Sequence, residues 1–238
     1  EVVMTEYEAA SLPQVATAED ADVFHQMSTD RGAVITEVFK GVGLFGTRAE
    51  EQDVPSDSSR IGQQQTKTIS TFSKSVDIPK TFFDDDIHDT VMMMMKDLGE
   101  KARVSRDNNA MALFRNSFTT TLSSDAVALF SNSHLTLGGD TVDNLETGGL
   151  TLNNLETMIT SLATQKDQSG VIRGHMPHVL LVPPELFREA TEMTESKLIS
   201  DSADNAVNWL STKYGLKVKT SPYLGAAAAG GSATAFFV

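Results

Sequence analysis

Residues 82–118 carry apolar side chains at helical spacing over a length that few compact domains accommodate. Ile87, Val91, Met94, Met95, Leu98, Ala102, Met111, Leu113, Phe114 and Phe118 recur with the period of one helix face. A continuous helix here would be roughly 55 Å long at 1.5 Å per residue, against about three turns for an average helix. Such a length predicts a spar rather than a packed core helix. Thr81-Phe-Phe-Asp84 resembles a capping box, and Asp84-Asp-Asp86 would place negative charge at the positive end of the helix dipole. The stripe fades near 105–109, which leaves room for a bend.

The segments before this helix predict a long hairpin. Residues 34–45 are rich in β-branched and aromatic residues, and 65–78 carry Ile69, Phe72 and Val76 among Thr, Ser and Lys. Between them 46–64, with Pro55-Ser-Asp-Ser-Ser59, read as a loop tip. Strands of about 12–14 residues at ~3.3 Å each would make an arm of about 40 Å. An isolated hairpin of such polarity is marginal alone and needs a surface on another molecule. Residues 1–33 are acidic and small, broken at Ser11-Leu-Pro13, with a short helix predicted over 18–30. They read as an extended arm ordered by its neighbours.

The rest of the chain predicts a compact α/β part. A polar loop covers 132–149, a helix 150–166 with Leu152, Leu155, Met158, Ile159, Leu162 and Ala163 on one face, and Asp167-Gln-Ser-Gly170 closes it. Val179-Leu-Leu-Val182 reads as a fully buried strand ended by Pro183-Pro184, with Pro184 opening a helix over 184–195. A further helix is expected at 205–213 with Gly215 as its cap, then a strand over 216–220. No internal repeat is evident.

With 238 residues, the chain can bury roughly 70–75% of its unfolded surface. It contains no cysteine, which excludes disulfides, thiolate zinc sites and a cysteine nucleophile. The formal net charge of −13 argues against gripping nucleic acid through overall charge. The same sign suits a container whose wall must not hold DNA, and equally a chain kept soluble by charge. No apolar run approaches the ~20 residues of a membrane span, and no signal-peptide pattern opens the chain. A start at Glu1 suggests processing or trimming, and the apolar run Ala235-Phe-Phe-Val238 suggests that further C-terminal residues follow.

Several motifs invite chemical readings. Gly41-Val-Gly43-Leu-Phe-Gly46 matches a dinucleotide fingerprint, but Thr47-Arg-Ala-Glu-Glu-Gln-Asp-Val-Pro55 offers no apolar helix to receive a pyrophosphate. The expectation is a kinked, hinge-like strand. Asp84-Asp-Asp86 could attract a hard cation, although consecutive helical residues point apart. His175 and His178 lack a third ligand nearby, and His134 is expected to make a structural hydrogen bond. Ser232 lies outside any nucleophile-elbow pattern. Met92-Met-Met-Met95 covers most of a helix circumference, which predicts burial, or an adaptable contact surface. No residue is therefore assigned a catalytic, cofactor-binding or metal-binding role, and no partner is identified for a covalent cross-link at Lys67 or Lys74.

Two stretches carry a family resemblance: Asp125-Ala-Val-Ala-Leu-Phe130-Ser-Asn-Ser-His134, and His178-Val-Leu-Leu-Val-Pro-Pro-Glu-Leu-Phe187. Their order, separated by a polar loop and an amphipathic helix, resembles the Mu-like major head proteins of tailed phages. The resemblance implies an α+β, Hong Kong 97-like capsid fold. Residues 1–33 would be its N-terminal arm and 34–79 its E-loop hairpin. Residues 80–145 would be the peripheral domain with a spine helix at 82–118, 146–225 mostly the axial domain, and 226–238 the start of a C-terminal region. It further implies a non-enzymatic protein that assembles into pentamers and hexamers around double-stranded DNA. Scaffold or protease, portal and decoration proteins would be partners, with assembly in the host cytoplasm, a virion location and no membrane or cofactor. An encapsulin-type nanocompartment shell shares the fold, and a nucleotide-dependent enzyme is the alternative of another class.

Overall fold

A computed structural model describes residues 23–24, 30–54, 56–84, 89–120, 124–198 and 207–238. It mixes helices and strands, as the α+β expectation required. In chain order these are β1 (Ala33–Lys40), β2 (Arg60–Thr68), α1 (Lys80–Asp84), α2 (Thr90–Arg115), β3 (His134–Leu135), β4 (Thr141–Val142) and α3 (Leu152–Thr164). β5 (Val179–Val182), α4 (Phe187–Glu195), α5 (Trp209–Lys213) and β6 (Lys217–Thr220) follow.

The core is organised around β5. One edge pairs in parallel with β6, from Val179 opposite Lys217 to Val182 opposite Thr220. On the other edge Leu181 exchanges backbone hydrogen bonds of 2.8 and 2.9 Å with Phe237. Because side chains alternate along a strand, Leu180 and Val182 enter one apolar cluster with Leu155, Ile159, Ala190 and Leu210. Leu181 enters the opposite one, with Met111, Leu224 and Phe237. A strand covered on both faces needs an unbroken apolar run, which is what Val-Leu-Leu-Val supplies.

Local chemistry sets the neighbouring helix ends. Thr151 Oγ1 accepts from the Asn154 amide at 3.2 Å and opens α3. Pro184 starts the short 3₁₀ turn Pro184–Leu186 that leads into α4, a position where its missing N–H costs nothing. Asn208 opens α5 by accepting from the Leu210 amide at 3.0 Å, and Gly215 leaves it with φ +55, the left-handed value that glycine adopts freely.

The long helix differs from expectation. Lys80–Asp84 is a separate short helix, and α2 begins only at Thr90. Asp89, just before it, has φ 52, a left-handed conformation that a right-handed helix cannot contain. The capping-box residues Thr81 and Asp84 therefore belong to α1, with Asp84 closing it, while Asp85, Asp86 and Ile87 lie outside the described residues. The 26 residues of α2 make a rod of about 39 Å, and it runs through 105–109 without interruption. Phe118 falls beyond its end. Within α2 only Val91, Gly99 and Met111 are buried. Met93 is 65% exposed and Met94 38%, so burial within this chain, the simpler expectation for the methionine run, is overturned.

The hairpin is also displaced from its predicted limits. β1 ends at Lys40 rather than at 45, and β2 occupies 60–68 rather than 65–78. The antiparallel register runs from Ala33 opposite Thr68 to Lys40 opposite Arg60. Strands of 8 and 9 residues make an arm of roughly 30 Å at ~3.3 Å per residue, shorter than predicted. Ile69 adds one backbone bond of 3.1 Å to the Gly32 carbonyl at the end of the ladder, and Phe72 and Val76 follow it without joining. The predicted arm at 1–33 and helix at 18–30 fall mostly outside the described residues; Val23 and Phe24 pack against the second cluster.

Candidate functional site

None of the described residues from 30 to 84 is buried. The hairpin and the segment after it nonetheless carry many large apolar side chains: Phe39 is 61% exposed, Ile61 65%, Leu44 82% and Phe45 101%. Phe39 and Ile61 are directly opposite in the ladder and share a face. The tip between the strands is tied by Asp57, whose Oδ2 accepts from the Gly43 amide at 2.6 Å. That bond, aided by the Ser58 amide and Lys40, holds the Asp57 carboxyl below its ordinary range against the opposing effect of desolvation. Gly41, Gly43 and Gly46 thus sit in the tip, past the strand end, and no helix starts at them. A pyrophosphate would find no helix N-terminus there.

Fully covering side chains such as Phe39, Leu44, Phe45 and Ile61 is worth about 1.5–3 kcal/mol each. That free energy is unrealised while they face water. A concentration of apolar surface on one arm marks a contact surface, and this arm is the candidate site.

The segment 125–134, which carried half of the family resemblance, is tied together by its own side chains. Nδ1 of His134 lies 2.6 Å from Asp125 Oδ2, and Nε2 lies 3.1 Å from the Leu129 carbonyl. A carbonyl only accepts, so Nε2 donates to it. The Asp125–His134 pair borders a polar cleft of about 260 Å³ with Gln63, Thr136 and Lys166. Asn144 adds to these ties, accepting from the Ser131 amide at 2.8 Å and donating to Leu129 at 2.9 Å. Phe130 is thereby held against Phe118 and Phe237, with ring centroids 5.7 and 5.4 Å apart.

The remaining chemical candidates stay apart. His175 and His178 lie on an exposed stretch leading into β5. Ser232 accepts from the Thr234 and Ala235 amides at 3.2 Å in a turn. Among the described residues no group of three or more His, Asp or Glu is placed to hold a metal, and none of the helices is long and apolar enough to cross a membrane. An apolar groove of about 290 Å³ lies between Phe118, Phe130, Met158, Leu162 and Phe236, rimmed by Asp143 and Glu146.

Sequence reasoning missed where the hairpin meets the body. Gly62, inside β2, presses on Leu137, and Arg60 Nη2 donates to the Leu137 carbonyl at 2.9 Å. The available signal was Gly62 itself, since a glycine within a strand marks a bulge or a close backbone approach.

The described residues make a body with a core on both faces of β5 and a hairpin with exposed apolar side chains, the make-up of a structural building block rather than of a chain closed on itself. The sequence profile of the phage capsid protein family matches residues 63–238. The chain belongs to this family, and its role is that of a major capsid protein, a building block of the phage head. No match is found among curated proteins. Among solved structures, the bacteriophage JBD30 capsid aligns with TM-score 0.68 and 14% identity, covering 90% of this chain and 94% of that one. The JBD30 procapsid gives 0.63 and 15% identity over 93% and 96%. The JBD30 capsid decorated with minor capsid protein trimers gives 0.66 and 15% over 84% and 88%. At such identities the likeness is one of fold.

Proposed function

We propose that many copies of this chain assemble as pentamers and hexamers into an icosahedral, Hong Kong 97-like shell around double-stranded DNA. The observation that carries this is the hairpin: a polar-backboned arm with no buried residue, bearing Phe39, Leu44, Phe45 and Ile61 in solvent. Laid across a neighbour, it would bury apolar area that the single chain cannot bury. Repetition of that contact around closed symmetry would supply the strength of a head shell.

In this reading 34–79 is the E-loop and 1–33 the N-terminal arm. The peripheral domain is 80–145, with α2 as its spine, and 146–225 is mostly the axial domain. A net charge of −13 gives an inner wall no counterion-release grip on DNA, so the genome is enclosed and not bound by sequence. Decoration proteins are proposed as partners because a neighbour of like fold carries minor capsid protein trimers; scaffold or protease and portal proteins complete the set. Assembly would take place in the host cytoplasm and the product would be the virion head.

Light scattering after size exclusion, with negative-stain imaging of the peak, tests the proposal. Megadalton round shells or capsomer rings are expected, with nuclease-protected DNA in shells taken from infected cells. Particles filled with a cargo protein instead would mean a nanocompartment. A chain that stays monomeric at every concentration and salt would overturn the shell reading.

A further inference from the structure

The hairpin leaves the body through one small contact. Between Glu37 opposite Gln64 and Phe39 opposite Ile61 the register shifts, so that two steps on β1 face three on β2. The extra residue places a bulge at Gly62 and Gln63, and a bulge bends its strand. At that bend the bare Cα of Gly62 lies against Leu137: a Cβ there would stand 2.5 Å from Leu137 Cδ2 and 2.9 Å from Cγ, and closer still to Cδ1. Two residues away, Arg60 Nη2 holds the Leu137 carbonyl at 2.9 Å.

Leu137 is itself fixed from behind. Its amide donates to Gln168 Oε1 at 2.9 Å. Its turn is locked by Thr136 N to Asp140 O at 2.9 Å and Asp140 N to Thr136 Oγ1 at 3.0 Å. The turn carrying Gln168 is locked by Asp167, whose Oδ1 accepts from the Ser169 amide, the Ser169 hydroxyl and the Val171 amide at 2.8, 2.7 and 3.0 Å. Lys166 Nζ reaches Asp140 at 3.3 Å and joins the two turns. The turn carrying Gln168 follows directly on α3, whose Leu155 and Ile159 are core residues. An unbroken line of contacts therefore runs from the core to the hairpin root.

We propose that Gly62, Arg60 and Leu137 form a latch that fixes the angle at which the hairpin leaves the body, and so presents its apolar face to a neighbouring copy. The second clause rests on the shell reading above; the first does not. Gly62 is a positioning residue: a Cβ there meets the end of the half-buried Leu137 side chain, so Leu137 must swing aside or β2 must lift off it, and the latch requires the lift, with the hairpin's own ladder still paired.

The chain contains no cysteine, so cysteines introduced at exposed Thr47, in the tip, and exposed Glu156, on α3, take spin labels at those two points alone. Pulsed electron-spin distances are measured on the dilute, unassembled full chain. One narrow distance distribution is expected. Gly62→Val should shift and broaden it several-fold without changing the circular dichroism spectrum, and Gly62→Val with Leu137→Ala, which removes the obstructing side chain, should narrow it again. Arg60→Met should broaden it less than Gly62→Val. A wild-type distribution already as broad as that of Gly62→Val, or a double variant as broad as the single one, overturns the latch. In particle assays Gly62→Val should lower the yield of closed shells several-fold, and the double variant should recover it. If wild-type chain makes no particles, the shell reading falls and the distance result still decides the latch. If shells form normally from a chain whose hairpin angle has shifted, the link between latch and assembly is wrong.

Discussion

The body around β5 and the hairpin of β1 and β2 are folded by opposite means. In the body, Leu155, Leu180, Val182, Ala190 and Leu210 have no exposed surface, and polar groups at the same depth, such as Asn208, are fully bonded. In the hairpin no described residue is buried, and its form comes from the backbone ladder and a few exposed side-chain bonds. The first region owes its stability to what it encloses; the second has no core of its own. The contrast teaches that this chain divides its apolar residues between an enclosed core and an exposed arm, which the proposed shell would cover.

Four variants would break or sharpen that contrast. Leu180→Ala should be the most damaging: it empties a fully enclosed site and should cost about 2–5 kcal/mol, read by chemical denaturation of the unassembled chain. Loss of less than that would mean the body is loosely packed and the two regions are more alike than they look.

Asn208→Ala comes next. Its side chain accepts from the Leu210 amide and donates to the Met193 and Ser196 carbonyls at 2.6 and 2.9 Å. Truncation orphans the buried Leu210 amide, worth about 1–3 kcal/mol if left unsatisfied, while the two carbonyls are part-exposed and can turn to water. The same denaturation series measures it.

Asp167→Asn tests the turn between the regions, and its effect depends on pH. The Ser169 hydroxyl bond, then the Val171 amide and lesser contacts, hold the Asp167 carboxyl well below its ordinary value of 3.8. A carboxylate depressed in the folded state stabilises above its unfolded pKa and loses that contribution as pH falls through the folded one. Tm of the wild type should therefore decline on acidification below about pH 4, and the decline should be shallower in Asp167→Asn. Parallel Tm curves for the two would remove the carboxylate from the account.

The smallest effect on the subunit itself belongs to Phe39→Ser with Ile61→Ser. Surface changes of this kind move stability by about 0.5 kcal/mol or less, while shell yield should collapse. A large fall in Tm of the unassembled chain would show that the arm already packs at home, and the contrast would fail.

The two regions also differed in how much the sequence revealed. In the body, a four-residue apolar run, a Pro-Pro turn, the α3 face and a helix-ending glycine each have a local cause, and β5, Pro184, α3 and Gly215 stand where these causes put them. In the hairpin the apolar periodicity of Ile69, Phe72 and Val76 pointed to a strand that the ladder does not use. The real partner strand is Arg60-Ile-Gly-Gln-Gln-Gln, whose pattern is nearly silent because neither face is buried. Its register is fixed by a bulge and by contact with Leu137, a residue far along the chain. The long helix was overextended for a similar reason: side-chain periodicity does not report a single backbone reversal such as Asp89. The candidate site was legible as an arm in need of a partner, while its root, which depends on tertiary contact, was not.

The pairing of Leu181 with Phe237 has a consequence for how the chain is made. β5 leaves the ribosome before either of its neighbours, so both of its edges stay open until β6 and then Phe237 have been synthesised. The hairpin emerges earlier still, before Leu137 and Gln168 exist to hold its root. A nascent chain thus carries a sticky arm and a bare apolar strand together, the combination most prone to misassociation during folding. Because the central strand is closed by β6 and by Phe237, both well beyond it in sequence, its core is finished only once both have been made.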